Sequence, residues 1–363
     1  MSEDLFLLLF NVFILGMLVL DLGVIQKRAH YPSMKEAVLW TLAWCLLALA
    51  FAALVGQFYG PEKALQFLTG FVVEEALSVD NVFVFIVIFT YFAVPREIQH
   101  RVLFWGVLSA IIFRAVFIVL GSALVARFDW ILYVLGVFLI FTAVKLALQE
   151  EIDVRVEKNP AVRFARKFFP VTESYEGGKF FTRKNGKFAV TPLFLVLLMI
   201  ETTDIAFATD SIPAIFAITR DPIIIYTSNI MAVMGLRSLY FVVAGFLRQF
   251  RYLKYGLSGV LGFIGVKMLA ESWIHVPIAT SLVVIFSILA VSIGISALVP
   301  DRPDRPDTMT GGDSNIRGEA HPIPRSGGRR RGACPGRGSD RIRNRPAAWA
   351  SPVLPASPQA DPP

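Results

Sequence analysis

The chain has 363 residues, of which 55% are hydrophobic and 17% are charged, and its formal net charge is +7. Soluble domains contain about 25% charged residues, so this composition excludes an ordinary soluble enzyme. Two cysteines are too few for a disulfide-stabilised scaffold, and the clustering of most basic residues in loops and a tail argues against a nucleic-acid-binding protein. The pattern is typical of a protein that crosses a membrane several times.

Nine segments are long and apolar enough to cross the hydrocarbon core, which takes about 20 residues in a helix. They are 5–25, 36–57, 63–92, 102–125, 130–149, 191–218, 224–247, 254–272 and 277–299. Acidic rather than basic residues precede the first segment, so it is not typical of a cleaved signal peptide. We therefore predict an all-α, polytopic membrane protein with about nine transmembrane helices, in which residues 1–299 form a transmembrane transport domain.

Basic residues alternate between the loops. The loop 150–190 contains nine Lys and Arg residues, whereas the loops on the opposite side contain at most one cation each. The positive-inside rule then places the N-terminus outside and the C-terminus in the cytoplasm. Residues 300–363 are rich in Pro, Arg and Gly, which predicts a disordered tail. The tail also resembles a high-GC sequence translated out of frame, a hypothesis that resequencing tests.

Two blocks of the sequence resemble each other, which indicates an internal repeat. The matched pairs are 114–121 with 237–244, and 136–145 with 258–267. Upstream of each block lie two acids with the same spacing of six residues. The repeat unit spans three helices, and because this number is odd, the second copy is inverted in the membrane. We predict copy A at 63–149 and copy B at 191–272, with a site near the midplane between them.

Charged residues occur inside the predicted spans, where each costs about 3 kcal/mol if unpaired. The acids are Asp21, Glu74, Glu75, Asp80, Glu201, Asp204 and Asp210, and the cations are Arg114, Lys145, Arg237 and Lys267. We expect structural ion pairs from Arg114 and Arg237, whereas the two lysines lie near span ends and can snorkel to the surface. Four cations neutralise at most four of the seven acids, so three negative charges remain. A bound divalent cation and a proton would balance these three charges.

Polar neighbours make two of these acids candidate ion ligands. Asp80 precedes Asn81 and Asp210 precedes Ser211, which adds an amide and a hydroxyl oxygen. Oxygen-only ligand sets suit Mn²⁺, Mg²⁺ or Ca²⁺. Residues six apart point about 120° away from each other on a straight helix, so one ion could contact all the acids only if the helices unwind near 78–81 and 209–213.

The acidic motifs at 74–81 (Glu-Glu-Ala-Leu-Ser-Val-Asp-Asn) and 201–213 (Glu-Thr-Thr-Asp-Ile-Ala-Phe-Ala-Thr-Asp-Ser-Ile-Pro) resemble the two signature motifs of the TerC family, the tellurium-resistance protein C group with its Alx-like members. The resemblance covers residues 1–299. It implies a nine-span inner-membrane protein with an inverted repeat, and Mn²⁺ efflux for Alx-like members. It also implies an ion-binding set, which is Glu74, Asp80, Asn81, Asp204, Asp210 and Ser211, supported by Glu75, Glu201 and Asp21.

The sequence together with this resemblance therefore predicts a transporter in the lipid bilayer rather than an enzyme. We expect it to export a divalent metal cation, Mn²⁺, by proton-coupled alternating access and to hold no permanently bound cofactor. An alternative is a membrane component or scaffold of a metal or tellurite stress-resistance assembly, with a cytoplasmic partner at the loop 150–190. An intramembrane aspartyl protease is disfavoured because the Gly-x-Gly-Asp motif does not occur in the sequence. Tellurite itself is disfavoured as cargo because the acidic site would repel an oxyanion.

Overall fold

A computed structural model of the protein describes residues 2–20, 33–148, 159–184, 187–245 and 253–298. Its helices are α1 Glu3–Leu20, α2 Met34–Tyr59, α3 Pro61–Tyr91, α4 Arg96–Arg127, α5 Ile131–Leu148, α6 Pro160–Phe168, α7 Pro192–Phe216, α8 Pro222–Gly245, α9 Leu253–Ala270 and α10 Ile278–Leu298. Each predicted segment coincides with one of the nine long helices found in these described ranges. The all-α polytopic class is therefore confirmed.

Eight of the nine long helices are apolar enough to cross a membrane by length and composition, and α3 is the exception because of its central acids. α3 packs against α2, α7 and α8, so neighbouring helices cover most of its surface. Helix starts follow local chemistry. Ser33 and Glu36 form a capping box at α2, and α3, α7 and α8 each begin with a proline.

The loop 150–190 is folded where the structure describes it. It contains α6 and a hairpin of β1 Phe181–Lys184 and β2 Lys187–Val190. The Tyr175 hydroxyl donates to the carbonyl of Phe92, and Arg101 donates to the carbonyl of Gly178 at 2.9 Å. These bonds attach the segment to the turn between α3 and α4. The predicted tail, 300–363, lies outside the described residues.

The crossing of α5 and α9 shows how the two predicted copies are related. A β-carbon on Gly265 would lie 2.9 Å from the carbonyl oxygen of Gly136, and the Ser258 hydroxyl donates to the carbonyl of Ala143 at 2.6 Å. In the alignment of the two predicted copies, Ser258 corresponds to Gly136, and Gly265 corresponds to Ala143. Exchanging the copies therefore turns the contact between Gly136 and Gly265 into the contact between Ser258 and Ala143. Along this crossing the residue numbers increase in α5 and decrease in α9. The two helices are therefore antiparallel, as an inverted repeat requires.

The close approach at this crossing predicts a strong effect of Gly265→Leu. The new β-carbon would lie 2.8 Å from Cγ1 of Ile140, and the Gly136 backbone blocks the other side. Such overpacking costs about 1–3 kcal/mol, so we expect a lower thermal unfolding midpoint in detergent. Gly16→Leu is the control, because nothing lies within 4 Å of its added β-carbon. Equal midpoints for both variants would show that this crossing tolerates separation.

Candidate metal-ion site

The two acidic motifs lie on α3 and α7, which pack against each other. Both helices run without interruption through their motifs, so the unwinding near 78–81 and 209–213 that a single ion shared by all the acids would need does not occur in this structure. Pro213 lies inside α7, three residues before its end. The acids divide between separate places, as the 120° between residues six apart on a straight helix requires.

One group of acids is held by Arg114 of α4. Its Nη2 lies 3.2 Å from Oδ1 of Asp204, and its Nη1 pairs with the Glu74 carboxylate. Nη1 also donates to the Asn229 amide oxygen at 3.3 Å, and the Asn229 amide nitrogen donates to Glu74 at 3.0 Å. All four side chains are buried. This buried ion cluster of Glu74, Arg114, Asp204 and Asn229 takes two members from each copy.

The second group lines a cavity of about 140 Å³ between α3, α5, α7 and α9. Its polar lining residues are Asp80, Asn81, Thr142, Lys145, Asp210 and Ser211, and its apolar ones are Leu77, Leu146, Phe207, Leu257 and Leu261. The Thr142 hydroxyl donates to the Asp210 carboxylate at 3.2 Å. We call this space the interhelical cavity. It lies between the two predicted copies, with one Asp from each.

A buried hydroxyl in the interhelical cavity lacks a partner. Oγ of Ser211 is inaccessible and makes no hydrogen bond within the described part of the chain. Buried polar atoms are normally paired, so this hydroxyl is an exception. The other oxygen ligands that line the cavity come from two carboxylates, an amide and one hydroxyl, and such oxygens suit Mn²⁺, Mg²⁺ or Ca²⁺.

The number of carboxylates in the cavity determines which other ligands a bound ion would need. Among the described residues, no cluster of three or more His, Cys, Asp or Glu side chains is placed to hold a metal. The interhelical cavity offers two carboxylates, so neutral oxygens would have to complete the shell. Its volume exceeds the share of one water molecule in the liquid, about 30 Å³, so it has room for an ion with some of its waters.

The other predicted residues lie apart from this cavity. Glu201 accepts a hydrogen bond from Ser109. Both carboxylate oxygens of Glu75 would lie 3.6 Å from a β-carbon on Gly235, so Glu75 faces α8. Arg237 and Asp204 line the same small pocket. Asp21 lies outside the described residues.

Sequence reasoning missed Thr142 and Asn229. Thr142 interrupts the apolar stretch Phe-Leu-Ile-Phe-Thr-Ala-Val, and Asn229 follows two other polar residues in Tyr-Thr-Ser-Asn-Ile-Met-Ala. The presence of a polar residue within a predicted span was the available signal. It does not tell which neighbouring helix a polar side chain faces, and this orientation decides that Thr142 contacts Asp210 and Asn229 contacts Glu74.

The chain is similar to known membrane proteins. A family model described as the integral membrane protein TerC family matches residues 59–303. The uncharacterized membrane protein STKORF319 of Myxococcus xanthus is 49% identical over 293 residues, covering 81% of this chain and 92% of the relative. Alx of Escherichia coli K12, whose name describes a proposed membrane-bound redox modulator, is 46% identical over 305 residues, covering 82% and 95%. An uncharacterized membrane protein of Rickettsia bellii is 41% identical, covering 82% and 99%. No solved structure matches the chain.

Proposed function

We propose, from the premise that this chain belongs to the TerC family of integral membrane proteins, that it exports a divalent metal cation, with Mn²⁺ as the cargo. The observation that supports this most is the interhelical cavity, where Asp80 of one copy and Asp210 of the other line one space with neutral oxygen donors. Sites of this kind, between inverted copies, are typical of secondary transporters. The inverted repeat gives a means of alternating access.

The charge of the cavity favours a cationic guest. Asp80 and Asp210 bring two negative charges and Lys145 brings one positive charge into this space, so its formal net charge is −1. Two carboxylates in a largely apolar surrounding are costly unless a cation neutralises them. When the ion leaves, protons can take its place on the carboxylates, so a proton gradient can drive exchange.

We place the protein in the inner membrane with its N-terminus outside. The segment 159–191 contains seven Lys and Arg residues and two acids, and this excess favours the cytoplasmic side. With that orientation, α3 begins outside, and α7 begins in the cytoplasm. The two motif helices then enter the membrane from opposite sides.

The scaffold role is the second candidate, and the folded segment 159–191 favours it because it offers a partner a defined surface. The name of Alx describes a redox modulator. A redox centre made of two thiols within this chain would have to pair Cys45 with Cys334, because the sequence contains no other cysteines. Cys45 lies within the apolar helix α2, and Cys334 lies in the predicted tail. We therefore favour ion transport as the direct activity.

A metal panel tests the proposed transport. With purified protein in liposomes, we expect Mn²⁺ flux that rises with an opposing proton gradient and falls when an ionophore removes the gradient. The Mn²⁺ rate should exceed the Mg²⁺ rate by about tenfold or more, because Mg²⁺ gives up its water reluctantly. Protein-free liposomes are the control. Flux no greater than theirs for every ion would exclude transport and favour the scaffold.

A further inference from the structure

The short helix α6 presents three different faces. Val162 and Ala165 are buried, and α6 packs against α7. At 100° per residue, Phe164 and Phe168 lie roughly 110° to one side of this buried face. They are 61% and 58% exposed, and their ring centroids are 4.4 Å apart.

Cations occupy the opposite flank of α6. Arg163, Arg166 and Lys167 are exposed and lie roughly 120° from the buried face in the other direction. The helix contains no acid, and Nζ of Lys167 lies 5.8 Å from the centroid of the Phe168 ring. The exposed side of α6 thus joins an aromatic stripe to a cationic stripe. We call these five residues the basic aromatic patch.

The contacts of α6 place this patch beside a transmembrane helix. The amide nitrogen of Asn159 donates to the Thr202 hydroxyl at 2.7 Å, and the amide of Val190 donates to the carbonyl of Pro170 at 3.0 Å. The helix therefore lies alongside the first eleven residues of α7, Pro192 to Thr202. Because α7 is long and apolar enough to cross a membrane, the patch lies beside the first half of a candidate transmembrane helix.

A second pair of exposed rings lies on the hairpin that follows α6. Phe181 and Phe188 of the hairpin are about half exposed, and their rings stack with centroids 5.5 Å apart. The Phe188 ring also contacts Phe169 at 5.7 Å. Contiguous exposed apolar surface marks an interaction site.

We propose that the basic aromatic patch binds anionic phospholipid, with the phenyl rings among the acyl chains and the three cations on the headgroups. Amphipathic helices with aromatic and basic faces lie in the membrane interface in this way, and basic residues next to transmembrane helices attract acidic lipid. The proposal requires only that the chain is an integral membrane protein. It stands whether or not the chain transports an ion.

The segment that contains the patch is hydrogen-bonded to the helix bundle, so lipid bound at the patch would also affect the bundle. The Tyr175 hydroxyl donates to the carbonyl of Phe92, at the end of α3. Burial raises the pKa of Tyr175 to about 12, so the phenol stays a neutral donor at physiological pH. The segment that holds the patch is thus fixed to the turn between α3 and α4.

A nitroxide label tests the location of the patch. We would attach it to Phe168→Cys in a full chain carrying Cys45→Ala and Cys334→Ala, in nanodiscs of phosphatidylcholine with or without phosphatidylglycerol. We expect the label to be reached by oxygen in preference to a water-soluble nickel chelate when phosphatidylglycerol is present. A label at exposed Glu173→Cys is the control and should favour the nickel chelate. A Phe168 label that favours the chelate in both lipid mixtures overturns the proposal and points to a protein partner.

Charge removal tests the lipid class. The variant Arg163→Gln, Arg166→Gln, Lys167→Gln should retain less phosphatidylglycerol relative to phosphatidylcholine on purification, by up to about fivefold for each lost cation. The control is Arg127→Gln with Arg220→Gln, two cations at the other end of the bundle, which should retain the wild-type ratio. Equal ratios in the triple variant and the wild type would overturn the proposal. An equal fall in both variants would also overturn it, because the patch would then be no more selective than any basic surface.

Discussion

Asp80→Asn and Asp210→Asn are each expected to abolish Mn²⁺ transport while the protein remains folded in the membrane. The substitution keeps the size of each side chain and removes one of the two negative charges of the interhelical cavity. At position 210 an amide oxygen can still accept the Thr142 hydrogen bond. We expect Mn²⁺ affinity to fall at least about 100-fold, since even partners outside the first coordination shell contribute about 10- to 100-fold.

The measurements are Mn²⁺ flux in liposomes and Mn²⁺ titration of the purified protein, with thermal unfolding as a check on the fold. Asp129→Asn is the matched control, because it makes the same chemical change in an exposed side chain that pairs with Arg220. It should leave flux and affinity unchanged. Wild-type flux in either cavity variant would show that the ion passes elsewhere.

The helices of the bundle could be predicted because the bilayer imposes their length and apolar character. The ends of the nine predicted segments lie within about two residues of the observed helix ends where the structure describes them, except that α4 begins at Arg96, six residues before the predicted start at 102. α6 was missed because nine residues with three cations give no membrane signal. Its position depends on contacts with α7, and the hairpin after it is held by a bridge between Val171 and Val190. Contacts of this kind leave no periodic pattern in a sequence.

The carboxylates of the candidate site were visible in the sequence, but their division into two groups was not. Charge counting predicted that cations offset some acids, and Arg114 does so for Glu74 and Asp204. Which acids it would take depends on how α4 packs against α7 and α8. The angle between Glu74 and Asp80 already implied that one straight helix cannot present both to one ion. That geometric argument describes the observed arrangement better than the alternative of unwound helices.

Arg114→Leu is expected to destabilise the protein by about 3–5 kcal/mol, the cost of removing one partner from a buried ion pair. Glu74 and Asp204 would both stay buried without their cation, and Asn229 can satisfy only part of the Glu74 carboxylate. Arg114→Lys should recover only part of the loss, because Arg114 contacts Asp204 through both Nε and Nη2 and an ammonium group cannot reproduce that fork. The measurement is unfolding in mixed micelles.

A charge-matched variant separates a structural role of this cluster from ion binding. The triple variant Arg114→Leu, Glu74→Leu, Asp204→Leu removes the three charged members of the cluster, so no unpaired charge remains, and only the neutral Asn229 amide loses its partners. Replacing buried ion groups by apolar side chains is often neutral or stabilising. We therefore expect it to recover most of the stability that Arg114→Leu loses. Arg220→Leu is the control, because its pair with Asp129 is exposed and such pairs contribute about 0–1 kcal/mol. If the triple variant is stable and still binds Mn²⁺, Glu74 and Asp204 are not ligands and the interhelical cavity alone holds the ion. If it is stable and binds no Mn²⁺, the predicted ligand set that includes Glu74 and Asp204 is supported. The pairing of these two acids with Arg114 is then one state of a site that rearranges around the ion.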